Sequence, residues 1–187
     1  MKHRMGICAI GVMLLAGAAV AEPVPAWVEE ARQRVQPFAT DLQADLKAAI
    51  EAGGVVNGIK VCQSAAPAVA QAHAKAGWTV TRTALKIRNP DNAPSAWQRA
   101  QLEAMQAAPV VDGRPAERWR EADENGIPVR EYLRAIPTQA VCLGCHGAEV
   151  SAEVREVLAQ RYPQDEATGF ALGELRGAFV VRYLNGD

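Results

Sequence analysis

Histidine, methionine and cysteine are scarce in this chain, at three, four and four among 187 residues, and aromatic side chains make up only 5%. A core built here must rest on aliphatic side chains and alanine, which make up most of the 49% apolar share. Charge of one sign is also lacking: 20 Lys and Arg against 21 Asp and Glu leave a net charge of −1, and no basic patch points to nucleic acid. No period repeats and no tract is compositionally biased, which excludes a solenoid and gives no reason to expect a disordered linker. Long apolar runs are missing except at the N-terminus, where Ile7 to Val20 follows the basic residues Lys2, His3 and Arg4.

That N-terminal stretch reads as an export signal. A basic start, an apolar middle and a small-x-small site, Ala19-Val20-Ala21, predict cleavage before Glu22, so residues 1–21 form the leader and 22–187 a single domain. The competing reading is a membrane anchor, but the run is short for a spanning helix and Pro23 and Pro25 follow at once. Cys8 lies too early for a lipoprotein cysteine, so no lipid anchor and no stable membrane insertion after cleavage are expected. The expected location is periplasmic. Without Lys2 and Arg4, 18 basic residues face 21 acidic ones, a mildly acidic mature chain of about −3.

Cleavage sharpens the scarcity. Only Cys62, Cys142, Cys145, His73, His146 and Met105 remain of the three scarce types. Three of these six fall in Cys142-Leu143-Gly144-Cys145-His146, the C-x-x-C-H attachment sequence of a c-type haem. Two thiols so spaced can add across the two vinyl groups of one porphyrin, and the histidine that follows becomes the proximal ligand of the iron. One covalent haem c is therefore the expected cofactor. C-x-x-C is also half of a zinc pattern, but only Cys62 and His73 could complete it.

Around the motif, the periodicities predict helices and short strands. Residues 26–52 read as a helix, bent or restarted at Pro37, with Phe38, Leu42, Leu46 and Ile50 at intervals of four and Gly53-Gly54 stopping it. Asn57 is placed to cap a second helix over 58–76, carrying Cys62 and His73 near one face about three turns apart. Residues 78–87 alternate as a strand, and a proline-punctuated loop follows from Arg88 to Pro94, with Asn89 and Asn92 shaping its turn. Ser95 caps a helix to about Ala108, with Trp97, Leu102 and Met105 inward. Two strands, 117–122 and 127–135, are joined at Glu124-Asn125-Gly126; Ser151 caps a helix to Arg161, and 178–184 form a last strand. This order predicts an α+β fold: an antiparallel sheet flanked by helices, with N-terminal helices leading into it.

The group on the other face of the iron decides the function. Met105 would give an electron carrier of familiar kind, a histidine a lower potential, and a thiolate stronger preference for the ferric state. Cys62 and His73 compete for that place. The plain readings are that His73 is solvated or hydrogen-bonded and that Cys62 is a small core residue, although an exported free thiol needs shielding from oxidation.

Four segments carry a family likeness: Ile59 to Pro67 around Cys62, Arg82 to Pro94 with Arg-Asn-Pro at its centre, Cys142 to Gly147, and Gly173 to Phe179. Together and in this order they resemble the DUF3365, or Tll0287-like, family of c-type haem proteins with a PAS-like fold. The resemblance spans most of the mature chain; it departs at Ala84, where a serine is usual, so one polar contact is in doubt. It implies a PAS-like sheet holding a covalent haem, with Cys62 as the axial ligand opposite His146. It also implies a redox or small-molecule sensor. The sequence stops three residues after the last strand, so no output domain is expected and a periplasmic redox or signalling partner protein would read the signal.

Arg82, Lys86 and Arg88 flank the loop as candidate contacts for the haem propionates, by charge-assisted hydrogen bonds, or as a solvated strand edge. The first expectation is a haem-binding sensor with His146 and Cys62 as axial ligands. The second is a periplasmic electron-transfer cytochrome. A haem enzyme such as a peroxidase would need acid-base groups beside an open iron face, and only His73 offers one, so no enzymatic activity is expected.

Overall fold

A computed structural model describes residues 23–184, so the expected leader lies outside the described residues. Helix α1 runs from Ala26 to His73, yet it is not straight. Gly53 (φ −165°, ψ 27°) and Gly54 (φ 73°, ψ −176°) leave helical geometry, and the second of these favours a residue without a Cβ. The chain reverses there, and two helical arms lie against each other. Asn57 Nδ2 donates to the Ala49 carbonyl at 2.8 Å across the reversal, and His73 on the second arm meets Asp41 and Phe38 on the first. Asn57 thus does not cap the second arm, as its position in sequence suggests; it satisfies a carbonyl left open at the end of the first. Pro37 neither ends nor restarts the first arm, and the second arm stops at His73.

The sheet has four antiparallel strands in the order β1-β6-β5-β4, where β1 is Trp78–Thr83, β4 Glu117–Glu124, β5 Ile127–Pro137 and β6 Leu175–Leu184. The Asn125-Gly126 turn between β4 and β5 has φ of 59° and 84°, the paired left-handed residues of a tight hairpin. A small hairpin, β2 (Val110–Val111) with β3 (Arg114–Pro115), sits beside the sheet and was not read from the sequence. Strand β1 ends at Thr83, four residues sooner than the alternation suggests, because the chain beyond has no partner strand. The Ile87 carbonyl accepts from Glu166 N instead, in the loop after the last helix.

Helices cover both faces. Val28, Ala31, Val35, Phe38 and Leu42 of α1 pack with Val80, Tyr132 and Val181 on one face. On the other, Leu102 and Met105 of α2 (Ala96–Gln106) pack with Leu133, Ala135, Ala178 and Val180. Helix α2 begins in a capping box between Ser95 and Gln98, and Gln98 Nε2 also donates to the buried carboxylate of Glu131 at 2.7 Å. Arg120 neutralises Glu131 from β4 at 2.6 Å. A third cluster joins Ile59 on the second arm of α1 to Val150, Val154 and Leu158 around α4 (Ala152–Arg161), which is capped by Ser151. It lies next to the residues of the attachment motif.

Candidate cofactor site

Strand β5 delivers the chain to the motif. Thr138 N donates to Glu174 O and Gly173 N to Thr138 O, after which a 3-10 turn ending at Cys142 and a single helical turn, α3 (Leu143–His146), carry the C-x-x-C-H residues. Gly147 N closes that turn on Leu143 O at 3.0 Å, and a Cβ on residue 147 would lie 2.6 Å from the same oxygen. Only glycine fits this close approach. Cys142 and Cys145 are both free thiols and both half-buried.

His146 is held from two sides. Its Nδ1 lies 2.6 Å from the Ala167 carbonyl, which can only accept, so Nδ1 carries the hydrogen and Nε2 keeps its lone pair. Its backbone carbonyl accepts from Phe170 N at 3.0 Å, and the Phe170 ring meets the imidazole edge-on at 6.4 Å between centroids. Burial first, then the guanidiniums of Arg176, Arg88 and Arg82, push the imidazolium pKa down to about 2. The ring is neutral at any ordinary pH, as a nitrogen ligand must be.

Cys62, eighty residues before Cys142 in sequence, comes to the same place on the second arm of α1. Its charge is felt at Cys145, Arg82 and Tyr162, and the arm packs through Val55 and Val56 into the cluster that holds Cys145 and Tyr162. Gly144 of the motif lies against Val55, and Arg161 Nη1 binds Gln63 Oε1, next to Cys62, at 2.8 Å. Burial raises the Cys62 thiol pKa above its ordinary value, opposed by Arg82 and Arg88. The other two candidates are elsewhere. His73 bonds Asp41 at 2.8 Å, roughly 16 Å along the helix from Cys62 at 1.5 Å per residue. Met105 is fully buried on the opposite face of the sheet.

Of the three basic residues read from the sequence, each has a different setting. Lys86 is exposed, with Nζ 3.3 Å from Thr168 O and 5.2 Å from the Phe170 ring. Arg82 is part-buried beside Cys62, and burial lowers its pKa. Arg88 has its donors engaged within the protein, by both Asp165 oxygens and by the carbonyls of Cys145 and Ala167. Arg176, which the sequence pattern does not single out as a site residue, lies over the Phe170 ring at 5.2 Å and donates to Lys86 O at 3.4 Å, and burial draws its pKa down to about 10. Its signal was a lone arginine between two buried positions of β6, inside a segment that carried the family likeness.

These donors bear on whether a haem fits the site. Among the described residues, no three His, Cys, Asp or Glu side chains gather closely enough to hold a bare metal ion by themselves. Among the described residues Arg82 and Arg176 make no salt bridge, although Arg82 lies near Cys62, Arg176 near Cys142 and Asp165, and both guanidiniums bear on His146. Part-buried cations with no carboxylate bound directly to them call for acidic partners. A flat group carrying both an iron and carboxylates satisfies sulfur, imidazole and guanidinium together.

The family model described as Tll0287-like, Tll0287, matches residues 18–183. Among solved structures, the crystal structure of the cyanobacterial heme-protein Tll0287 is 25% identical and superposes with a TM-score of 0.65, covering 88% of this chain and 99% of that one. No curated protein matches the chain.

Proposed function

The chain belongs to the Tll0287-like family, and from that premise we propose that it is an exported c-type haem protein that senses redox state or a small ligand. Cys142 and Cys145 would supply the thioether sulfurs, and His146 Nε2 and Cys62 would be the protein's ligands to the iron. Arg82 and Lys86 take the propionates, with Arg176 added from the structure. When bound, haem supplies an iron that changes oxidation state and an axial position that a small molecule can occupy.

The observation that carries this reading is the setting of His146: neutral, its Nδ1 committed to Ala167 and its Nε2 left to bind, within one turn of two unpaired thiols. The fixed side of the site is therefore His146, and the movable side is Cys62. Pro67 removes the helical hydrogen bond to the Gln63 carbonyl, directly after Cys62, so the arm can give there. Movement of the Cys62 arm would be the switch, and a partner protein would read it.

Absorption and EPR spectra of the wild type and of Cys62→Ser test the ligand assignment. A changed ferric spectrum in the variant is expected; an unchanged one removes Cys62 from the iron. The alternative reading, a periplasmic electron carrier, draws on the same firm hold on His146. It gains if the haem stays six-coordinate in both oxidation states, whereas ligand loss or carbon monoxide binding on reduction favours the sensor. Turnover of peroxide by the unaltered protein would favour an enzyme over both.

A further inference from the structure

Arg88 is the most heavily engaged side chain near the motif, yet the haem site as described gives it no task. Its Nε and Nη2 hold the two oxygens of Asp165 at 3.1 and 3.0 Å, and both partners are nearly inaccessible, at 12% and 8% side-chain exposure. Nη2 also donates to Cys145 O at 2.7 Å and to Ala167 O at 3.3 Å. The second of these carbonyls is the one that accepts from His146 Nδ1. The first belongs to the residue preceding His146. Asp165 in turn accepts from Ala167 N at 2.9 Å, turning the 165–167 segment so that the Ala167 carbonyl faces the imidazole. One guanidinium therefore joins the motif's backbone to the carbonyl that orients its histidine.

Resting on the haem reading above, we infer that Arg88, with Asp165, is a positioning residue for His146: it fixes the Ala167 carbonyl, and through it the tautomer and ring orientation of the proximal imidazole. A second carbonyl or carboxylate behind a ligating histidine is a general means of setting its basicity. Here that partner is a backbone oxygen, which has no side chain of its own to hold it, and the Arg88 fork supplies the hold. The interaction spans 57 residues to Cys145 and 79 to Ala167, so it locks the loop after β1 to the motif and to the segment after α4.

Nitrogen-15 NMR of the histidine-labelled, haem-free full chain tests this directly. The wild type is expected to hold His146 as one tautomer, protonated at Nδ1. In Arg88→Lys a single ammonium stays beside Asp165 and preserves the fold, but it cannot span the carboxylate and both carbonyls. The Nε2-protonated tautomer should then rise several-fold, and the midpoint potential of haem-loaded material should rise as the imidazole loses its acceptor. The double variant Arg88→Gln, Asp165→Asn removes the pair together, leaves no lone buried charge, and should show the same tautomer change. One tautomer in all three chains overturns the inference. So does loss of the wild-type far-ultraviolet spectrum in both variants, which would make the pair a general element of the fold. The tautomer is read without haem, so a wild type that never takes up haem sinks the function and leaves this result standing.

Discussion

His146 is a histidine whose charge the fold refuses. Its imidazolium pKa falls from the ordinary 6.5 to about 2, chiefly by burial. Between those values the unfolded chain binds a proton that the folded one does not, so stability rises with pH through this window. It is fully present above the unfolded value and drains away as pH falls below about 6.5, by at most roughly 1.4 kcal/mol per unit for one proton. Haem-free chain melted at pH 7, 6 and 5 should lose stability more steeply than His146→Asn does, and parallel losses in the two would contradict the burial argument. The motif itself was legible at this scale, because two thiols and an imidazole in five residues need no fold to be recognised. The settings of Arg88 and Arg176 were not. Both arginines fall just outside the strands that alternation marks, and nothing local in sequence says that Asp165 waits for Arg88, 77 residues on.

At the scale of elements, the reversal in α1 decides whether Cys62 reaches the site at all. Asn57→Ala removes the bond to Ala49 O and should cost about 0.5–1.5 kcal/mol, read from urea unfolding of the haem-free chain. A change of sign would mean that the arms close without it. Gly147→Ala meets the Leu143 carbonyl at 2.6 Å and must open the turn after His146, so haem attachment should fall while the sheet persists. Full attachment in that variant would show that the turn adapts. Where signals were local, the sequence was readable: Ser95 and Ser151 cap their helices, and Asn125-Gly126 makes its hairpin. The Asp112-Gly113 turn gives little signal because its strands are two residues long and one of them contains Pro115. Asn57 reads as a cap because a cap and a contact across a reversal look alike until the other arm is in place.

For the molecule as a whole, the sheet separates two jobs. The α2 face is a plain aliphatic core around a neutralised carboxylate, and the α1 face leads into the cluster beside the motif. Leu102→Ala, on the first face and fully buried, should cost about 2–5 kcal/mol and leave the haem spectrum unchanged. A spectral shift in that variant would show that the faces are coupled through the sheet. The α+β class and most element positions follow from periodicity, whereas the approach of Cys62 to Cys145 and Arg82, and of Arg82, Arg88 and Arg176 to His146, depends on contacts between segments far apart in the chain, and only the folded chain displays it. The central claim, a haem joined to Cys142 and Cys145, is tested most directly by the intact mass of the protein matured in a host that attaches c-type haem. The account predicts the mature chain plus one haem, lost when both cysteines are replaced by alanine; a colourless product with the mass of the polypeptide alone would contradict it.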